Sequence, residues 1–343
     1  MALGEPMKVF MIGGTGLLGA EAARALIAEG HQVSSIALPP MPPGAQKIEG
    51  MDLKFGNYLE MSDDELRACL RGSDGFVFAA GIDERIEGPA PIYELYRKYN
   101  IDPLRCCLSL AVEEGIQHVV ICGSYFSYFA KKWPEKRLTQ IHPYIKSCID
   151  QEQMALGFAH EGMDVAILEL PYIFGAQPGR KPVWMFLVEM IRSSKGATYY
   201  PKGGTAIVTT RQVGQAIAGA LRHTYGGIAW PIGWDNLSWA QMLQIFHTYM
   251  GCPDKKVVII PNWVYTLGSL RIVHDQKKRG IQGGLDMAHF SSVMCAEAYI
   301  DKSLGCLPLG VKEDDIKKAI GDSVQLCCEI ADRKVDAIGM KAE

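Results

Sequence analysis

With 343 residues the chain can hold a large α/β core, or one such domain with a smaller partner, and its 48% hydrophobic and 21% charged content is ordinary for a globular protein. A net charge of −3 and a pI near 6.3 make no case for nucleic acid, and no apolar run approaches the length that crosses a bilayer, so neither a nucleic acid nor a membrane is expected as a partner. Ten cysteines with no C-x-x-C spacing, after an amino-terminal stretch that lacks the parts of a secretion signal, point to free thiols in a reducing cytoplasm and to no metal site.

The chain opens on an apolar strand from Lys8 to Ile12 and a helix from Leu17 to Glu29, joined by GGTGLLG. Gly13, Gly16 and Gly19 carry a G-x-x-G-x-x-G spacing. In such a turn one glycine takes angles closed to a side chain, the next lets a pyrophosphate approach the main chain, and the third lets helix and strand pack closely. The helix start then offers free N–H groups to an anion. Dinucleotide binding is the reading this position favours over a plain tight turn.

HQVSSIAL is a second strand ending at Leu38, before Pro39 and Pro40. An acid at this strand end holds the ribose of NAD, and an arginine accepts the phosphate of NADP. Leu38 does neither and Lys47 is either solvated or able to reach round, so NAD or NADP stays open, with NAD slightly favoured. Ser62 to Gly72 is a helix with a Ser62/Glu65 capping box, and Gly75 to Gly81 an apolar strand. A helix within Pro91 to Glu114, disturbed by Pro103, precedes a strand from His118 to Cys122 that ends at Gly123 and Ser124. Pro143 to Glu161 is helical and Asp164 to Leu168 a further strand. This alternation predicts an α/β fold, a Rossmann-type doubly wound parallel sheet. Gly81, Ser124 and the segment after Leu170 should line one crevice at the strands' carboxyl ends.

Residues 1–175 are thus expected to form the dinucleotide-binding domain, with 205–233, including a helix from Thr209 to Leu221, packing back on it. Residues 176–204 and 234–330 should form a smaller mixed substrate domain, and 331–343 a frayed tail. Two apolar clusters, one of Trp184, Met185, Phe186 and Met190 and one from Asn262 to Val273, read as the core of that domain, with an apolar substrate pocket compatible. The basic runs at Lys131 and Lys132, Lys255 and Lys256, and Lys277 to Arg279 read as solvated loops.

Taken together, the glycine turn, the AAG ending at Gly81, Asn100, Ser124 and the Pro143-Tyr144 helix start resemble the extended short-chain dehydrogenase/reductases, specifically the NAD-dependent epimerase/dehydratase family. The resemblance implies dinucleotide contacts at Gly13, Thr15, Gly16, Leu17, Gly19, Leu38, Asn57, Ala80, Gly81, Asn100, Tyr144, Pro171 and Tyr172, with Asn57 where an acid commonly meets the adenine. It implies Tyr144 as proton donor or acceptor and Ser124 as the group that polarises the substrate oxygen, and a homodimer through helices around Tyr93 to Glu114 and Tyr144 to Glu161.

The family's lysine, four residues after the tyrosine, is Cys148 here. Lys146 lies about 200° round the helix from Tyr144 and points away, and Lys131, Lys132 and Lys136 sit in the preceding segment. Without a neighbouring ammonium Tyr144 should stay a phenol, which favours reduction of a carbonyl over oxidation of an alcohol. Glu169 replaces an arginine of the family pattern and reads as a paired structural acid, while Thr205 stands where nucleotide-sugar enzymes place a diphosphate-binding arginine, with Arg211 nearby. The expectation is an NAD(P)-dependent oxidoreductase acting as a reductase on a small or apolar carbonyl-type substrate. A non-catalytic dinucleotide-binding regulator and a nucleotide-sugar epimerase or dehydratase are the alternatives.

Overall fold

The computed structural model describes residues 5–39, 41 and 47–338, so Pro40 and the chain beyond Ile338 lie outside the description. The first half runs β1 (Lys8–Ile12), α1 (Leu17–Ala28), β2 (Gln32–Ala37), β3 (Met51–Phe55), α2 (Asp63–Leu70), β4 (Gly75–Phe78), β5 (Glu87–Gly88), α3 (Tyr93–Tyr96), α4 (Asp102–Glu113), β6 (His118–Ser124), α5 (Tyr125–Lys132), α6 (Leu138–Ile141), α7 (Pro143–Gly157) and β7 (Asp164–Leu170). The second half runs β8 (Tyr172–Phe174), α8 (Met185–Ser193), β9 (Ala197–Pro201), β10 (Gly204–Thr209), α9 (Thr210–His223), β11 (Gly227–Pro231) and β12 (Asp235–Ser238). It continues through α10 (Trp239–Tyr249), β13 (Lys256–Ile260), α11 (Asn262–Arg279), β14 (Gln282–Gly283), α12 (Ser291–Met294), β15 (Glu297–Ala298) and α13 (Ile316–Ala331).

Seven parallel strands form one sheet in the order β3-β2-β1-β4-β6-β7-β11. Strands such as β4, buried at every residue, need apolar cover on both faces. On one face α1 and α9 supply it, through Ala22, Leu26, Val213 and Ile217. On the other, α2, α4 and α7 do so through Leu66, Leu104, Leu108 and Ala155. The strand order reverses between β1 and β4, which opens a crevice at their carboxyl ends. This is the Rossmann-type doubly wound fold.

The smaller sheets sit beside it: β10 pairs β12, β15 and β8, and β13 pairs β9. Trp184, Met185, Leu187, Trp239, Leu243, Phe246 and Ile320 bind α8, α10 and α13 into a second core.

The disturbance expected at Pro103 is a π turn: the helix after Pro91 begins at Tyr93 and widens at Arg97–Ile101 before α4, because Pro103 has no N–H for the Tyr99 carbonyl and its ring displaces that group. Other expectations need correction. Beyond Gly157 the α7 helix tightens into a 3₁₀ turn, Phe158–Glu161. The Asn262 to Val273 segment is not core: Trp263, Leu267, Leu270 and Ile272 on α11 are exposed, and Ser269 is the helix's one buried residue. The tail is tied down as far as Ile338, which pairs with Gly179 and Lys181 through main-chain hydrogen bonds. Lys131 lies on α5 and reaches the buried Glu152 and Glu169, and Lys255, in the loop before β13, donates to the Ile191 and Ser194 carbonyls, so neither is free in solvent.

Candidate active site

At the nucleotide end, Gly13 has φ +94° and a Cβ there would collide with the Ala79 carbonyl at the end of β4; one on Gly19 would strike the Gly13 carbonyl. Gly16 is the N-cap of α1, without a side-chain cap or an acid in the first turn, so the helix N–H groups remain free for an anion. Ser35 of β2 braces the turn by accepting the Gly14 N–H at 3.1 Å and donating to the Met11 carbonyl at 2.9 Å. From the second half, Gln177 donates to the Thr15 carbonyl at 2.9 Å. Thr15, Met41, Lys47, Met51, Leu53 and Gln177 line one small cleft beside this turn. Leu38 is exposed at the end of β2, and Asn57 uses its amide oxygen to accept the Leu59 N–H at 3.2 Å.

Asn100 sits in the π turn and grips the loop leaving β4: its amide donates to the Ile82 carbonyl and accepts the Ile82 N–H, both at 2.8 Å. That fixes Gly81 and the following Asp83-Glu84 over Tyr96, whose hydroxyl donates to the Asp83 carbonyl at 3.1 Å. Both polar ends of Asn100 are thereby engaged by protein.

Tyr144 opens α7, its main-chain N–H donating to the Gly284 carbonyl at 2.9 Å and its ring packed against Tyr96 at 5.2 Å and Phe126 at 6.0 Å. Burial, then the neighbouring Cys148, Glu84 and Asp83, push its pKa well above the ordinary tyrosine value, while a hydrogen bond from the Ser124 hydroxyl pulls the other way and the Arg85 guanidinium stands within electrostatic reach. Ser124 ends β6 and caps α5, accepting the Phe126 N–H at 3.3 Å. Cys148 is a buried thiol pushed up to about 12, so it is no thiolate and no substitute cation.

Among the described residues the lysines near α7 are engaged elsewhere. Lys146 pairs with Asp150 and lies over the Tyr93 ring at 4.5 Å. Lys131 sits between two buried carboxylates, Glu152 at 2.5 Å and Glu169 at 2.9 Å. Burial pushes Glu169 up even with Lys131 beside it. Lys136 donates to the Ser292 carbonyl at 2.9 Å and covers Trp133, and Lys132 lies over Tyr128 at 5.1 Å.

One ionisable group here carried no sequence signal. Glu84, in the loop after β4, stands within electrostatic reach of Tyr96, Tyr125, Tyr144, Tyr172 and Cys148, and raises the pKa of each. Its surroundings crowd it while leaving it partly accessible, and that burial, with Asp83 adjacent, pushes its carboxyl up to about 7. Tyr172, after the buried Pro171, stacks on Trp184 at 5.1 Å and meets Trp239 at 5.4 Å and Tyr125 at 6.2 Å, three rings that are themselves buried in the core. Thr205 is fully buried, its hydroxyl donating to the Ala206 carbonyl, and Arg211 is turned outward toward Asp314.

Residues 9–211 match the family described as "NAD dependent epimerase/dehydratase family". The chain belongs to that family. Members of the epimerase/dehydratase family are enzymes that use a nicotinamide dinucleotide, and the glycine cradle and uncapped α1 start described above fit such a group. A Synechocystis protein named "Putative dihydroflavonol 4-reductase" is 25% identical over 336 residues, covering 92% of this chain and 93% of its own. Among solved structures, gox2253 superposes with a TM-score of 0.71 at 18% identity, over 94% of this chain and 98% of its own. A nucleoside-diphosphate-sugar epimerase from Pseudomonas aeruginosa gives 0.66 at 15% identity, over 94% and 98%. MoeE5 in complex with UDP-glucuronic acid and NAD gives 0.63 at 16%, over 94% and 99%. At these identities the solved structures bear on the fold alone.

Proposed function

We propose that the protein is an NAD(P)-dependent reductase of a small or apolar carbonyl-type substrate, with Tyr144 as the proton donor and Ser124 as the polarising hydroxyl. The observation that carries this reading is Tyr144 itself, a phenol whose pKa burial and the neighbouring Cys148, Glu84 and Asp83 push well above the ordinary tyrosine value, with the Arg85 guanidinium within electrostatic reach but paired with Asp83. Gly13, Thr15, Gly16, Leu17 and Gly19 would hold the pyrophosphate through main-chain N–H groups, with Ala80 and Gly81 giving close passage along the strand ends. The bound dinucleotide supplies the hydride. Tyr144 gives its proton to the substrate oxygen, which the Ser124 hydroxyl polarises, and Glu84, which titrates near neutrality, sets how readily that proton is replaced. The apolar setting of the half-buried Tyr172, backed by the buried Tyr125, Trp184 and Trp239, supports an apolar substrate, and the buried Thr205 supplies no grip on a diphosphate. Lys47 at the nucleotide cleft is the cation available to a 2′-phosphate.

The test is calorimetric titration with NAD⁺, NADH, NADP⁺ and NADPH, followed by oxidation of the bound reduced form with a panel of ketones and aldehydes. Tight binding of one reduced form is expected, and Tyr144→Phe should keep that affinity while turnover falls by about 10²- to 10⁴-fold. Absence of binding, or brisk alcohol oxidation at pH 7 that needs Tyr144, would sink the proposal.

A further inference from the structure

We propose that α11 is a membrane-docking element, whose exposed stripe of Trp263, Leu267 and Leu270 enters the surface of an anionic lipid bilayer while the basic side chains around it bind the headgroups. The stripe follows i, i+4, i+7 spacing and therefore occupies one face of the helix. Trp263 is 66% exposed and Leu267 57%, which is unusual for large apolar side chains on an 18-residue helix. In the β9–β13 pair beside α11, Val258 and its cross-strand partner Tyr199 are both exposed.

Charge decides what covers it. From Asp254 to Gly280 six bases (Lys255, Lys256, Arg271, Lys277, Lys278, Arg279) face two acids (Asp254, Asp275), an excess of four positive charges in a chain of net charge −3. Lys255 is turned inward to the Ile191 and Ser194 carbonyls, and Arg279 pairs with Glu87 and Asp275. Among the described residues no carboxylate pairs with Lys256, Arg271, Lys277 or Lys278. His274, Lys277 and Lys278 carry the apolar face on toward the carboxyl end, so one side of the helix is first apolar and then basic. An anionic bilayer complements both parts. A second copy of this chain laid face to face would set the same positive excess against itself. Among the described residues no helix is long and apolar enough to cross a membrane, which bears on crossing a bilayer and not on lying at its surface.

The patch is joined to the candidate active site. After its left-handed cap at Gly280, α11 leads into β14, which pairs with β5, and then to Gly284, which accepts the Tyr144 N–H. Gln276 of α11 also donates to Glu87 of β5 at 2.9 Å. The helix that would touch lipid thus belongs to the segment that roofs Tyr144, and on the reductase reading an apolar substrate would reach the crevice from the bilayer. Only that last clause rests on the proposed chemistry.

The experiment is co-sedimentation of the purified full chain with vesicles of phosphatidylcholine and phosphatidylglycerol in equal parts, and with pure phosphatidylcholine. Binding is expected to the anionic vesicles, weaker by about tenfold or more to the neutral ones and weakened by salt. The double variant Trp263→Ser/Leu267→Ser should lose about tenfold or more in binding with its melting temperature and dinucleotide affinity unchanged, and Lys277→Glu/Lys278→Glu should lose the preference for anionic lipid. Failure to bind either vesicle, or binding indifferent to both double variants, would overturn the proposal. So would sedimentation velocity showing a dimer that Trp263→Ser/Leu267→Ser converts to monomer, since a second copy would then cover the patch. No substrate or cofactor enters these readouts, so a failed reductase reading leaves them standing.

Discussion

The crevice has two ends built on opposite plans. At the glycine turn the protein withholds side chains: Gly13 and Gly19 exclude a Cβ by close main-chain approach, and the α1 start presents bare N–H groups. At Tyr144 it crowds side chains together from the loop after β4, α3, α5, α7 and β8, and burial raises the pKa of Glu84, Tyr96, Tyr125, Tyr144 and Tyr172 there. The first end tolerates almost no change of shape. The second is set by charge as well as by shape.

The sharpest way to break this contrast is Gly13→Ala. The added methyl meets the Ala79 carbonyl, and φ +94° strains any side chain. A loss of about 2–4 kcal/mol in unfolding free energy is expected, with dinucleotide affinity lost as well. An unaltered denaturant midpoint would mean the turn relaxes freely, and the first end would be no more rigid than the second.

A somewhat smaller effect belongs to His142, which is fully buried at the N-cap of α7 and accepts the Asp286 N–H at 3.1 Å through Nδ1. Burial pushes its pKa down to about 4, with Asp286 opposing and His289 reinforcing. The unfolded chain therefore binds this proton first, and stability falls as pH drops from about 6.5 toward 4. Glu84 works the other way, because a carboxyl raised to about 7 costs stability as pH rises from its ordinary range. The two must be separated by difference. Between pH 7 and pH 5 the wild type should lose about 2 kcal/mol relative to His142→Asn, read from urea titrations at both values. Parallel pH dependence in the two proteins would show that His142 does not carry a charge penalty at this end.

How far each end was legible follows from the same contrast. The glycine turn, the Ser62/Glu65 capping box and the Thr210–His223 helix are written in short stretches whose backbone demands are local. The fold class followed from that alternation. The sequence does not mark α5, because YFSYFAKK offers aromatic residues of weak helix propensity and Ser124 serves both as its cap and as a candidate catalytic hydroxyl. Lys131, Glu152 and Glu169 meet only through three separate elements, so no spacing could show that the lysine is consumed. The apolar residues of α11 had the composition of a core, and composition does not say which face finds a partner.

Glu84→Gln tests the charge side of the comparison by keeping shape. If the carboxyl governs the proton supply to Tyr144, the rate of carbonyl reduction in the wild type should show an inflection near pH 7. Glu84→Gln should flatten it and lower the rate at pH 6 by about three- to tenfold, without moving dinucleotide affinity. A retained inflection would assign the titration to another group.

The mildest perturbation returns to the nucleotide end, where one exposed side chain interrupts the main-chain design. Leu38 gives the ribose neither an acid nor a cation, and Lys47 lines the cleft with Thr15 and Gln177. An exposed, flexible ammonium on a phosphate is worth about 1 kcal/mol, so Lys47→Ala should weaken NADPH by about three- to tenfold and leave NADH where it was. Salt should mimic the substitution in the wild type and do little in the variant. An equal loss for both nucleotides would place Lys47 against the shared part of the molecule, and the nucleotide end would then be read by main chain alone.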